Sequence, residues 1–234
     1  MTPNKSNSEC LKYIMKRMDN IIAMNNPKNC ELQVKNYLVN AYSQFTNWSR
    51  VFNLHYLNSI TPKVLQKQVS NFTEEKYNGS WTGLNRNKGR IINSTLLKTT
   101  LIYLLSYDTP RNVPLMKDVI KRIETIRNKK SPYYIPNMSV FFCTAILFAH
   151  DPNNFMVING PTRDIFFISK SVKAQLNSFQ KITKKSKCIL SNYKNLSMWH
   201  LNKAFAIYMN EHQIKLKNLV NYKIPPNVPS SIRI

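Results

Sequence analysis

"MSVFFCTAILFA", residues 138–149, is an uncharged apolar run. About 12 residues fall well short of the roughly 20 that a helix needs to cross a bilayer, so the run predicts a helix buried in a protein core. Cys143 lies inside it and is expected to be a buried thiol, as suits a reducing compartment. The fold class follows from what flanks this run on both sides.

Upstream, "VPLMKDVIKRIETIRNKK" (113–130) sets Leu115, Met116, Val119, Ile120, Ile123 and Ile126 on one helical stripe, with Lys117, Lys121, Arg122 and Lys129 opposite. "STLLKTTLIYLLSY" (94–107) is apolar on nearly every side and predicts a second central helix. Thr61-Pro62 marks a helix start, cap followed by first helical position, carried on by Val64, Leu65, Val69 and Phe72. Two further helices are expected nearer the start. One follows a capping box at Ser6 to Glu9, and the other runs through Leu32, Leu38, Tyr42, Phe45 and Trp48 towards Leu57.

Residues 74–94 break the helical pattern and hold three of the four glycines, which predicts a surface loop. Downstream, "NNFMVINGPTRDIFFIS" sets two β-prone runs around Asn159-Gly160, predicting a β-hairpin near 154–169. Helical patterns follow near 171–182, near 186–194 and from Leu196 to about Val220, and the tail "IPPNVPSSIRI" reads as extended. The expected architecture is mainly α and bundle-like. It has an N-terminal helical lobe over 1–150 and a basic C-terminal lobe over 151–234 that includes the hairpin, a single domain being the alternative.

Charge narrows the function. Lys plus Arg number 34 against 11 Asp plus Glu, a net +23, in a chain that is 43% hydrophobic and able to bury a core. Such an excess destabilises the compact state by self-repulsion unless a polyanion offsets it. Beyond Asp164 there are twelve basic residues and one acidic residue, Glu211. "SFQKITKKSKCILSNYKN" (178–195) alone carries Lys181, Lys184, Lys185, Lys187 and Lys194. Phosphate is the favoured counterpart, which makes RNA, single-stranded by preference, the expected partner.

Further candidates for phosphate contact are Arg86, Lys88 and Arg90 in the glycine-rich stretch, Lys117, Lys121 and Arg122 on one helix face, and Lys129-Lys130 beyond it. Trp81, Tyr133, Tyr134 and Tyr193 lie among these charges and are candidates for stacking on bases, whereas Phe179 and Trp199 read as core. The chain is over-rich in Asn, Lys and Ile, as expected of an A/T-rich genome such as those of small RNA viruses. That composition also accounts for the Asn-x-Ser/Thr matches, for instance at Asn47 and Asn78.

Enzyme signatures are thin. His55, His150, His200 and His212 are scattered, and no His-x-Glu, His-Glu-x-x-His or Gly-x-Ser-x-Gly arrangement occurs. For the pair His150-Asp151, a capping role of Asp151 before Pro152 is the expectation. Cys10, Cys30, Cys143 and Cys188 form no Cys-x-x-Cys pair, and the carboxylates do not cluster, so neither a metal nor another cofactor is expected. The first twenty residues have no signal-peptide pattern, and an intracellular, cytoplasmic protein is expected, in the host cytoplasm if viral.

The whole predicts a non-enzymatic, sequence-tolerant RNA-binding protein, a nucleoprotein or an RNA-shielding accessory protein. The proline-rich end fits an exchange arm in a homo-oligomer, and equally a loose terminus. The alternative function is a peripheral membrane or host-interaction protein using the same lysines on anionic lipid, with Ile182, Ile189 and Leu190 inserting. Charge that reflects codon bias alone would instead be spread evenly over the surface.

Overall fold

The computed structural model describes residues 42–43, 45–74, 88–110, 113–165, 171–191 and 196–211. They are mainly helical, with no strand among the described residues. Two compact units emerge. One is Ser43–Asn159, and the other draws on Met1–Tyr42 and Gly160–Ile234. The expected helix after Ser6 lies outside the described residues, as do most of the helix begun at Leu32 and the proline-rich tail.

In the first unit a helical segment, residues 45–51, precedes α1 (Leu54–Ser59) and α2 (Pro62–Glu74). Asn53 caps α1 by accepting from the His55 amide at 2.9 Å. At the other end of α1, the Lys98 ammonium donates to the carbonyls of Asn58 (3.1 Å) and Ile60 (2.6 Å), meeting the negative end of the helix with a cation. Thr61 caps α2 as expected: its hydroxyl accepts from the Val64 amide at 3.3 Å. Leu65, Val69 and Phe72 then turn inward with full burial. Trp48, Phe52 and Phe72 form an aromatic knot with centroids 5.1 to 6.1 Å apart.

Residues 74–94 are not one continuous loop, because Lys88–Ile92 forms α3 and buries Ile91 and Ile92. α4 (Leu97–Leu105) is less central than its composition suggests. Leu97, Leu101, Leu104 and Leu105 are buried, while Ile102 and Tyr103 stay half-exposed. On α5 (Met116–Arg127), Val119, Ile123 and Ile126 are buried. Leu115, its cap residue, is exposed, and Met116 and Ile120 are half-buried.

The run at 138–149 does become a core helix, α6 (Val140–His150), with every residue from Phe142 to Ala149 buried. Ser139 caps it by accepting from the Phe142 amide at 3.1 Å. Asp151 ends it as expected, one carboxylate oxygen accepting from the Asn153 and Asn154 amides and the other from the Asn154 side chain at 2.7 Å. Cys143 is a free, buried thiol whose pKa burial pushes up to about 12, so it stays protonated and inert.

The predicted hairpin is not formed. Phe155, Met156, Val157 and Ile158 are all buried, and the Ile158 amide donates to the Thr144 hydroxyl of α6 at 3.2 Å. A hairpin strand with one solvated face needs alternation, and these four side chains are apolar and enclosed on every side. Asn159 and Gly160 do not turn the chain back either. α7 (Gly160–Ile165) starts there, with Pro161 in its first turn, where proline suits a helix and would cost a ladder bond in a strand.

In the second unit, α8 (Val172–Leu190) is one unbroken helix where two shorter patterns were expected. Ser171 caps it, accepting from the Ala174 amide at 3.2 Å. α9 (Met198–Glu211) contacts both α7 and α8 and buries Met198, Trp199, Leu201 and Phe205. Phe179 of α8 and Trp199 of α9 are core residues, as expected.

His200 sits within this core, 4.3 Å from the Tyr42 ring centroid, and its Nδ1 accepts from the Ser197 amide at 3.1 Å. Burial lowers its pKa to about 4. The unfolded chain therefore takes up this proton at higher pH than the folded one. Stability contributed by the neutral ring is complete above pH 6.5 and lost as pH falls towards 4, by roughly 3 kcal/mol in all. Urea midpoints at neutral and mildly acid pH are expected to differ less in His200→Gln than in the wild type.

Candidate nucleic-acid interface

α8 is amphipathic with an unmixed polar face. Leu176, Phe179, Ile182, Thr183 and Ser186 fall on one side and are buried. Lys173, Asn177, Gln180, Lys181, Lys184, Lys185 and Cys188 fall on the other and are exposed, with Lys187 half-buried beside them. The helix contains no Asp or Glu. From Lys173 to Lys187 the basic face runs about 21 Å at the helical rise of about 1.5 Å per residue, a length that spans several phosphates of one strand. Of the three residues that lipid insertion would use, Ile182 is buried, while Ile189 and Leu190 are half-buried.

The first unit disposes its basic residues differently. Lys117 and Lys121 are one turn apart and exposed on α5, and Lys129 and Lys130 are exposed just past its end. Arg122, expected on the same solvent face, is turned aside. Its Nε donates to Asp118 Oδ2 at 2.9 Å, its Nη1 donates to the Tyr103 carbonyl at 2.8 Å, and the guanidinium lies 4.9 Å from the Tyr103 ring centroid. Partial burial works to raise the Asp118 pKa, but the hydrogen bonds from Arg122 and the Asp108 amide outweigh it and hold the carboxylate below its ordinary value.

Lys88 ends in an ion pair with Glu74 at 2.6 Å, which lowers the Glu74 pKa. Arg90 is exposed on α3, and Arg86 and Trp81 lie outside the described residues, as do Tyr193 and Lys194. Tyr133 and Tyr134 are both half-buried, and Tyr133 stacks on Tyr103 with centroids 3.9 Å apart and planes 8° from parallel. The structural roles of Lys98 and Arg127 were not legible in the sequence. Arg127 donates to the Met138 carbonyl at 3.1 Å, a partner that only the folded chain brings near.

Among the described residues no three His, Cys, Asp or Glu side chains gather as a metal site. His150 is packed edge-on to Tyr107 (6.0 Å), and burial lowers its pKa against the opposing pull of Asp151, while Tyr107 has its own pKa raised by burial. No helix among the described residues is long and apolar enough to cross a membrane. No family model, curated protein or solved structure matches the chain.

Proposed function

We propose that the chain binds RNA through its phosphate backbone, with little dependence on sequence, as a nucleoprotein or an RNA-shielding protein. The observation that supports this reading best is the outward face of α8, where exposed lysines and neutral amides run the helix length without a carboxylate. A surface basic merely through codon bias would still mix in the acidic residues the chain has, as α2 does with Lys63, Lys67 and Glu74. The backbone of a formed helix needs no further ordering before its lysines meet phosphates, and each contact releases a condensed counterion.

Fluorescence anisotropy with a labelled single-stranded RNA across a salt series tests this. With about six phosphate contacts, affinity is expected to fall by two to three orders of magnitude between about 50 and 200 mM salt. Absence of binding at the low-salt end, with capture by anionic vesicles instead, would overturn the reading in favour of lipid.

A further inference from the structure

Tyr103 has two partners. The Arg122 guanidinium lies 4.9 Å from its ring centroid, and Tyr133 stacks on it nearly parallel with centroids 3.9 Å apart. The pair is closer and more nearly parallel than Trp48 and Phe52, stacked at 6.1 Å and 27°, and other ring pairs of the unit meet edge-on. Phe52 meets Phe72 at 79°, and Tyr107 meets Phe155 at 79°. Parallel rings at this separation form an offset stack, a favoured arrangement for aromatic pairs, and the nearby cation adds its attraction to the Tyr103 ring.

The stack is held from several sides. Asp118 and the Tyr103 carbonyl fix the guanidinium, the Thr100 hydroxyl donates to the Tyr133 carbonyl at 3.0 Å, and the Tyr133 amide donates to Ser131 Oγ at 3.1 Å. Pro132 and Pro136 restrict the same loop. Tyr133 is nonetheless only half-buried, and Lys129 and Lys130 precede it with their side chains in solvent. An anchored, half-exposed tyrosine beside two exposed lysines is the pairing that sequence-tolerant single-strand binders use, base on ring and phosphate on cation.

We propose that Tyr133 is the docking plate for one unpaired nucleobase of a polynucleotide, with Lys129 and Lys130 on its flanking phosphates. The inference rests on the RNA-binding reading and adds a preference for unpaired nucleotides, because a base inside a duplex has both faces stacked. It also assigns the two units different parts: α8 meets charge alone, and the Tyr133 loop meets a base.

The test compares, with the wild-type protein at low salt, an RNA of about 12 nucleotides and an abasic oligomer with the same number of phosphates. The base-containing strand is expected to bind about 5- to 150-fold more tightly, with a similar salt slope. Tyr133→Leu is expected to remove most of that ratio. Tyr133→Trp, which keeps a ring and is the safer variant for folding, is expected to raise the ratio and to show indole fluorescence quenched by the RNA but not by the abasic strand. Equal affinity for the two oligomers, or a ratio unmoved in Tyr133→Trp with unquenched fluorescence, overturns the base plate while leaving phosphate binding intact. Failure of both oligomers to bind would instead overturn the RNA reading itself.

Discussion

Changing Lys181, Lys184 and Lys185 together to Gln is expected to flatten the plot of log affinity against log salt by about two units, at about 0.7 unit per single-strand phosphate contact. Extrapolated from a common value near 1 M salt, that flattening is a loss of between about 10² and 10³ in affinity at 50 mM. The three side chains are exposed and Gln is nearly as good a helix former as Lys, so α8 is expected to keep its helix. Lys63→Gln with Lys67→Gln, on the exposed face of α2 that also carries Glu74, is the comparison. A much smaller change there places the contact on α8. Equal losses per lysine at both sites would mean that net charge alone draws the RNA.

The second large effect concerns stability. Phe72 is fully buried and packs edge-on against both Trp48 and Phe52 at 5.1 Å, closing the aromatic knot between residues 45–52 and α2. Phe72→Ala is expected to cost about 3 to 5 kcal/mol, through lost transfer free energy and a cavity that rigid neighbouring rings cannot collapse into. That is a large fraction of a typical domain's stability. Urea denaturation followed by tryptophan fluorescence measures it. Phe72→Leu, which refills most of the volume, is expected to lose less, and equal losses for the two would show that shape and not volume governs the site.

What could be seen in the sequence depended on how local the cause was. The core helix at 138–149 was legible because twelve residues without a charge, ten of them apolar, are best satisfied inside a core, and Asp151 sits where a cap belongs. Thr61-Pro62 was legible for the same reason, since a cap acts within one turn. The continuity of α8 was hidden by Thr183 and Ser186, polar residues that interrupt the apolar period yet occupy its buried stripe. The hairpin expectation rested on Asn159-Gly160, a local turn signal overridden by the enclosure of Phe155 to Ile158. Arg122 could not be placed in advance, because its partner carbonyl on Tyr103 is 19 residues away along the chain.

By itself the sequence determined the helical class, the caps, the core helix and the excess of positive charge, all of which follow from composition and from spacing within a few residues. Only the tertiary structure decided which cations face solvent and which are spent on the fold. Lys98 holds the end of α1, Lys88 meets Glu74 and Arg122 lies against Tyr103, while Lys173, Lys181 and Lys184 of α8 are exposed. The physical reason is that charge is a property of each residue, whereas its availability depends on which carbonyls, carboxylates and rings the folded chain brings within hydrogen-bonding distance.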